Sequence, residues 1–302
     1  MEKITFVGVV ANNDIDVFIN LTLYSILRNF NNNDIEEFLI ITPPHNMKYF
    51  QQQLYKKYNK NNKIKLINEK TVFTKEIEKK YHLHMLLKLY ASFIVKTKLY
   101  ITLDSDMYLT KKISIKDIII NNKPILNFEK ICWHSEWHNT NKNVLGVIND
   151  IKLNITDSNM NIIGLNNLDE NDECTGVTPC ILYTDITQQL LNKYAMKMEN
   201  LPSSFTEYSL YSLYITHILQ IKLDKLYYRK SLYNNCIWIR KSEQEYNFKN
   251  DFKDFKVEID NQFSQEDTIF SLSQSSLVSS GYMKKYDYNI IVNYIISLVN
   301  KV

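Results

Sequence analysis

The strongest constraint in this sequence is an apolar run at residues 99–103 that ends in the acidic triplet Asp104-Ser105-Asp106. A buried parallel strand is a near-continuous hydrophobic run, and the ligands of open α/β sheets collect beyond its carboxyl end. Two carboxylates held there are unfavourable unless a positive charge lies between them. Because Mg²⁺ and Mn²⁺ bind one or two carboxylates together with substrate phosphates, the triplet predicts a metal site with Asp104 and Asp106 as ligands. A solvated strand end is the alternative.

Strand-like and helix-like segments alternate through the first hundred residues. Apolar runs predict strands at residues 4–10, 38–42, 64–67 and 99–103. Apolar side chains at helical spacing predict helices at residues 47–58 and 74–95, and Asp14 or Asp16 is expected to cap the helix after the first strand. Such alternation indicates an α/β fold with a mostly parallel central sheet, flanked by helices in a Rossmann-like arrangement.

The pattern is less regular in the rest of the chain. Further strands are predicted at residues 124–129, 178–184, 236–240 and 268–274. Helices are predicted at residues 206–219 and 285–299, and residues 132–138 are expected to form a loop rich in Trp and His. Since no linker-like stretch interrupts the chain, we expect a single domain over residues 1–302.

The composition limits the classes of partner. A net charge of +3 over 302 residues, with scattered Lys and Arg, does not indicate nucleic-acid binding. Gly occurs 5 times and neither Gly-rich phosphate motif is present, so metal and side chains must hold any phosphate. The 4 Cys lack metal-binding spacing, the N-terminus lacks a signal-peptide pattern, and residues 290–299 are too few to span a bilayer. We expect a soluble, cytoplasmic protein without a transmembrane segment.

Two blocks of sequence resemble one known group of enzymes. They are His-Met-Leu-Leu-Lys-Leu-Tyr-Ala-Ser-Phe-Ile-Val at residues 84–95 and Leu-Asp-Ser-Asp-Met-Tyr-Leu at residues 103–109. In their order and in the Asp-x-Asp pair they resemble the GT-A nucleotide-sugar glycosyltransferases. The similarity is greatest to the family-8, glycogenin-like type and to related uncharacterised bacterial and viral proteins.

The resemblance implies a fold, an activity and a cofactor. The expected fold is a single GT-A domain, with a nucleotide-binding half at residues 1–110 and an elaborated acceptor-side half with a closing helix at residues 111–302. The expected activity is a hexosyl transfer from a nucleotide-diphosphate sugar, UDP-linked, to a carbohydrate or glycoprotein acceptor. Mn²⁺ or Mg²⁺ would be the cofactor.

The first half of the chain supplies the candidates for donor binding. The resemblance implies that Lys88 contacts the nucleotide-sugar and that the turn at Val10, Ala11 and Asn12 lies under the base and ribose. Ser105, between the two aspartates, is expected to add a hydrogen bond. The alternatives are a lysine that extends its charged end from an apolar helix into water, and an ordinary strand-to-helix connection at the turn.

The second half supplies the candidates for sugar binding. Thr175 and Gly176 resemble the small-residue turn that flanks the donor sugar. Trp133 and Trp137 suit an acceptor rim, because indole rings stack on sugar faces while presenting a donor. Buried packing is the alternative for both tryptophans.

Glu207 and Tyr208 open a predicted helix. A carboxylate in that position complements the helix dipole, which would be a purely structural role. The functional alternative is that Glu207 binds an acceptor hydroxyl or takes its proton as a catalytic base. Tyr208 is a candidate for substrate binding, with core packing as its alternative.

The sequence departs from family 8 near its C-terminus. The signature of a His followed by Gly and Lys-Pro-Trp is absent, and no His lies beyond His217. A third protein ligand for the metal therefore stays open among His134, His138, His217, Asp267 and Gln274. The donor sugar, the acceptor and the stereochemical outcome are not encoded in any motif that we recognise.

Two other functions remain as alternatives to a transferase. One is a non-catalytic GT-A-like module that binds a nucleotide-sugar or a protein. The other is a phosphatase that uses the Asp-x-Asp pair, although that motif requires Thr or Val where this chain has Tyr108.

Overall fold

A five-stranded sheet organises the fold. The structure, a computed structural model, describes residues 2–77, 79–130, 135–146, 173–175, 178–194, 205–230, 248–266, 268–273 and 283–302. The strands are β1 (Ile4–Val9), β2 (Ile35–Thr42), β3 (Ile64–Asn68), β4 (Leu99–Leu103), β5 (Met107–Leu109), β6 (Ile119–Ile120), β7 (Lys123–Leu126), β8 (Phe128–Lys130), β9 (Glu173–Thr175), β10 (Cys180–Tyr183), β11 (Tyr228–Arg229) and β12 (Phe270–Leu272). The large sheet has the order β10-β4-β1-β2-β3, in which only β10 runs antiparallel to its neighbour. The predicted mostly parallel sheet is thus confirmed.

Helices connect and flank these strands. They are α1 (Ile15–Val17), α2 (Leu23–Asn29), α3 (Met47–Tyr58), α4 (Glu69–Val72), α5 (Lys80–Tyr90), α6 (Ile115–Ile118), α7 (Ser135–Leu145), α8 (Thr184–Tyr194), α9 (Glu207–Leu213), α10 (Leu223–Leu226), α11 (Phe248–Ser264) and α12 (Lys285–Val299). Among the described residues, no helix combines the length and apolar character needed to cross a bilayer.

The first helix after β1 contains a widened turn. A π-helical turn at Phe18–Thr22 joins α1 to α2 without a break. Its Ile19 carbonyl accepts a hydrogen bond from the Tyr58 hydroxyl at 2.6 Å, which satisfies one of the backbone groups that such a turn displaces. The same turn directs the Thr22 hydroxyl to the carbonyl of Ser105 at 2.8 Å, so it touches the acidic triplet directly.

Gly8 allows this helix to pack closely on β1. A Cβ atom at Gly8 would lie 2.8 Å from Cε2 and 2.9 Å from Cζ of Phe18, far inside normal contact distance. A larger residue at this position would therefore require the Phe18 ring to move.

The buried apolar side chains form two clusters. The larger one covers both faces of the central sheet. In the second, side chains of α11 and α12 such as Ile259 and Ile295 pack against Val17, Leu21 and Tyr108. The C-terminal helices therefore lie behind β5 and the start of the first helix, next to the acidic triplet.

Some predicted elements differ from the structure. The predicted helix at residues 74–95 is shorter, since α5 covers Lys80–Tyr90 and is followed by a 3₁₀ turn at Ala91–Phe93. The expected loop at residues 132–138 is wrong in its second part, because α7 begins at Ser135. The predicted strand at residues 236–240 lies outside the described residues. The closing helix is confirmed at Lys285–Val299.

Candidate active site

The acidic triplet connects two sheets. Asp104 follows β4 of the central sheet, and Asp106 precedes β5, which pairs with β12. Each residue of the triplet is held by a different part of the chain. Lys88 Nζ donates to Asp104 Oδ1 at 2.7 Å, Thr22 holds the Ser105 carbonyl, and the Ser273 amide donates to the Asp106 carbonyl at 2.9 Å. Helix α5, the π-helical turn and the end of β12 therefore fix the triplet together.

Lys88 lies at the centre of a buried charge cluster. Its ammonium donates to Asp104, to Glu207 Oε1 at 3.0 Å and to Thr178 Oγ1 at 3.2 Å. The Lys88 side chain is 9% exposed and that of Glu207 is 5% exposed, whereas that of Asp104 is 42% exposed. These contacts use all three donors of the ammonium. A nucleotide-sugar contact, which the resemblance implies for Lys88, would have to displace one of them.

The charges around Lys88 determine its protonation. Burial by itself lowers the pKa of a lysine, but Asp104 first, and then Tyr208 and Glu207, hold the pKa of Lys88 well above its usual range. The ammonium also lies 5.4 Å from the centre of the Tyr208 ring, within the range of a cation–π contact. Lys88 is therefore a permanent cation in this interior, opposed by two carboxylates.

A directed chain of hydrogen bonds leads away from Lys88. Thr102 donates to the Cys180 carbonyl at 3.2 Å, so its oxygen accepts from the Tyr208 hydroxyl at 2.8 Å. The Tyr208 oxygen in turn accepts from Thr178 at 3.0 Å, and Thr178 accepts from Lys88. Each hydroxyl thus donates once along the chain. Burial raises the pKa of Tyr208 well above its usual range, so the phenol keeps its proton.

Glu207 reaches this cluster from the first turn of α9. The Asn141 amide of α7 donates to the Thr206 carbonyl at 2.9 Å and fixes the start of that helix. Glu207 lies in the first turn of α9, where a carboxylate complements the helix dipole, as the structural interpretation requires. Its side chain nevertheless points to Lys88 and lies beside Asp104. Glu207 can therefore complement the helix dipole and belong to the candidate site at the same time.

Asp14 is a member of the site that sequence reasoning missed. It occupies the N-cap position of α1, yet its side chain makes no capping bond. Burial raises the pKa of Asp14, and the negative charge of Asp104 raises it further, while hydrogen bonding with the Ser105 side chain opposes both. Asp14 therefore faces the acidic triplet. The Asp14-Ile15-Asp16 pattern resembled a helix-capping sequence. Nothing in the neighbouring residues distinguishes a capping aspartate from one that faces the acidic triplet.

The predicted turn after β1 lies at the same edge of the sheet. Gly8 of β1 is in register with Leu103 of β4, so both parallel strands end side by side. Val10 is buried and its backbone bonds to the end of β2, whereas Asn12 is exposed and opens a 3₁₀ turn at Asn12–Asp14. Val10, Ala11 and Asn12 thus border the acidic triplet.

The other predicted residues fall largely outside the described part of the chain. Trp133, Gly176, His134, Asp267 and Gln274 lie outside the described residues. Trp137 and His138 belong to α7 and Thr175 ends β9, but their side chains are also outside the description. His217 is exposed in the π-helical turn Tyr214–Ile218.

The donor atoms of the triplet fit a hard divalent cation. Within the described ranges, no three His, Cys, Asp or Glu side chains come together as a metal-binding group, so His217 does not join Asp104 and Asp106. Two carboxylates are nevertheless the protein ligands with which Mg²⁺ typically binds phosphorylated ligands. Burial, first, and the charge of Asp104, second, both raise the pKa of Asp14, so a third carboxyl group lies close to this pair.

Solved structures share the architecture. A crystal structure of the galactosyltransferase LgtC, in complex with donor and acceptor sugar analogs, superposes with a TM-score of 0.52 at 8% identity and covers 99% of this chain and 96% of that one. An active-site mutant of LgtC gives a TM-score of 0.48 at 7% identity, over 97% of this chain and 95% of that one. The 4-diphosphocytidyl-2C-methyl-D-erythritol synthase of Anaerococcus prevotii DSM 20548 gives 0.40 at 10% identity, over 73% and 84%.

These comparisons establish the fold and the family. At such low identity the likeness to LgtC shows the fold alone, and it confirms the predicted GT-A-like α/β architecture. No curated protein matches the chain. The model of a family of unknown function, DUF6492, matches residues 11–280. Because this match spans most of the sequence, the chain belongs to the DUF6492 family.

Proposed function

We propose that this protein is a metal-dependent glycosyltransferase that takes a sugar from a UDP-linked donor. The acceptor would be a carbohydrate or glycoprotein. The observation that carries the proposal is the cluster of Asp104, Lys88 and Glu207 at the carboxyl end of β4, where open α/β sheets bind their ligands. Membership of the family-8 type stays a prediction.

The nucleotide would lie across the ends of β1 and β4. Val10, Ala11 and Asn12 form the surface beside the base and ribose, and Ser105 and the partly exposed Asp104 face the same edge. Asp104 Oδ1 is engaged by Lys88, which leaves its second oxygen for a cation or for a ribose hydroxyl. Such a site would need few glycines, because Asp104 and Asp106 with a cation would hold the diphosphate in place of a backbone cradle.

Asp104 and Asp106 would hold Mn²⁺ or Mg²⁺ against the diphosphate. When bound, the cation supplies charge neutralisation for the departing nucleoside diphosphate. The chain itself supplies the rigidity, because two contacts hold backbone carbonyls of the triplet and Lys88 holds the Asp104 carboxylate before any ligand arrives. Such preorganisation is what makes electrostatic stabilisation effective.

Glu207 would interact with the acceptor hydroxyl. Its Oε1 is held by Lys88, and its position beside Asp104 brings it close to the sugar end of the donor. A carboxylate in this place can bind the attacking hydroxyl or accept its proton. Trp133, Trp137, Thr175 and Gly176 remain predictions for sugar contacts around it. Tyr208 is buried and its hydroxyl bonds to Thr102 and Thr178, which favours its core-packing alternative over a sugar contact.

A ligand screen followed by product analysis tests the proposal. The melting temperature is measured with a panel of nucleotide-sugars, with and without Mn²⁺, and every hit is incubated with Mn²⁺ and analysed for free and transferred sugar. A ligand at one hundred times its Kd adds about 2.7 kcal/mol of stability. We expect stabilisation by a UDP-sugar that requires Mn²⁺, with slow donor hydrolysis or transfer. Binding without either reaction would favour the non-catalytic module instead.

A further inference from the structure

The second aspartate of the triplet is held from the C-terminal region. Strand β12 pairs antiparallel with β5, with Leu272 opposite Met107. The pairing continues by one residue, because the Ser273 amide donates to the Asp106 carbonyl at 2.9 Å. The Ser273 hydroxyl donates to the same carbonyl at 3.1 Å. Both lone pairs of the Asp106 carbonyl are therefore engaged by one residue.

Helix α12 completes this arrangement through Tyr288. The Tyr288 hydroxyl lies 2.6 Å from Ser273 Oγ. Because the single hydroxyl proton of Ser273 is directed to Asp106, Tyr288 must be the donor in this pair. The result is a buried relay from Tyr288 through Ser273 to Asp106, in which all three residues are at most 8% exposed.

We propose that Ser273 and Tyr288 are positioning residues that fix Asp106 for cation binding. This inference rests on the proposed function, and it gives the C-terminal helix a role in metal binding although no metal ligand is assigned there. A carbonyl with two donors restrains the rotation of the peptide that follows Asp106, and so restrains the backbone from which its carboxylate extends. Partners that orient a metal ligand typically contribute about 10-fold or more to metal affinity.

The relay has a feature that distinguishes positioning from general stability. Removal of the Ser273 hydroxyl and removal of the Tyr288 hydroxyl interrupt one and the same path to Asp106. Once one hydroxyl is removed, this path to Asp106 is already broken, so removal of the second should not weaken metal binding further. The two effects on metal affinity should therefore not add. Independent structural damage would add.

Mn²⁺ binding to the full chain, measured with the metal alone, tests this inference. Electron paramagnetic resonance of free Mn²⁺ gives the Kd for wild type, Asp106→Asn, Ser273→Ala, Tyr288→Phe and the last two combined. Tyr108→Phe is the matched control, because its buried hydroxyl also makes a 2.6 Å hydrogen bond, to Gln262, outside the relay. Urea denaturation of each variant reports the loss of stability separately.

We expect Ser273→Ala and Tyr288→Phe each to raise the Mn²⁺ Kd about 10-fold, with no further rise when they are combined. Tyr108→Phe should lose a similar amount of stability and keep the wild-type Kd. Wild-type affinity in both relay variants, while Asp106→Asn weakens binding, would overturn the inference and leave the proposed function intact. Wild-type affinity in Asp106→Asn would overturn the metal site itself, and this inference with it.

Discussion

The Lys88 ammonium and the Glu207 carboxylate lie 3.0 Å apart in the interior, although 119 residues separate them in the sequence. Their contact joins α5 to α9. Asp104 shares the same ammonium, so one cation connects the acidic triplet to the candidate catalytic carboxylate.

Replacement of Lys88 by Met should destabilise the protein strongly. The substitution leaves Glu207 buried without its partner, and removal of one member of a buried ion pair typically costs about 3–5 kcal/mol. Asp104 should contribute less to this loss, because its partly exposed side chain can be solvated by water. Urea denaturation measures the free energy of unfolding.

The double variant Lys88→Met/Glu207→Gln is the control for this prediction. It removes both buried charges, so it should recover most of the stability that Lys88→Met loses. Equal losses in the single and double variants would show that the charge pair is not the cause.

Replacement of Tyr208 by Phe should interrupt the hydrogen-bond chain in its middle. The hydroxyls of Thr102 and Thr178 would each lose a buried partner, and an unsatisfied buried polar group costs about 1–3 kcal/mol. The exposed Tyr55→Phe is the matched control and should change stability by less than about 0.5 kcal/mol. An equally small loss of stability in Tyr208→Phe would contradict the hydrogen-bond chain through Thr102, Tyr208 and Thr178.

Replacement of Glu207 by Gln should separate binding from transfer. The amide keeps the size of the side chain, but it cannot accept a proton from an acceptor hydroxyl. If Glu207 is the general base, kcat should fall about 10²- to 10⁴-fold while the affinity for the donor nucleotide changes little. Steady-state kinetics with the donor found in the screen give both values. A normal kcat would restrict Glu207 to a structural role.

Stability should fall on mild acidification because of His84. Burial lowers the pKa of His84 below 6.5, Lys88 and Lys80 lower it further, and Asp104 opposes them. Because the unfolded chain then binds the proton more tightly, the contribution of His84 is complete above pH 6.5 and is lost as the pH falls toward the folded-state pKa. Urea midpoints at about pH 7.5 and pH 5.5 should differ less in His84→Gln than in wild type. Identical differences would contradict this assignment.

Much of the fold could be predicted because its strands and helices follow from the local spacing of apolar residues. The strands before and at the acidic triplet, and the closing helix at Lys285–Val299, follow from apolar runs and helical spacing. The antiparallel direction of β10 could not be predicted, since a buried edge strand has the same apolar pattern in either direction. The π-helical turn at Phe18–Thr22 also could not be predicted from the sequence, because it depends on tertiary contacts of Ile19 and Thr22.

The site was predictable only where its residues lie close in the sequence. Lys88 and Asp104 are separated by one helix-to-strand connection, and the resemblance placed both in the site. The contact between Lys88 and Glu207 and the relay from Tyr288 to Asp106 arise from long-range packing, which a single sequence does not show. Asp14 was misread because its neighbourhood has the composition of a helix cap.

The most direct test of the account is the titration of UDP into the protein by calorimetry, with Mn²⁺ and with a chelator. Wild type should bind UDP only when Mn²⁺ is present, and both Asp104→Asn and Asp106→Asn should abolish this metal-dependent binding. Asp16→Asn, whose carboxylate accepts from Tyr49 at 2.9 Å, is the matched control and should bind as wild type does. Metal-independent binding of UDP, or unchanged binding in both triplet variants, would contradict the proposed site.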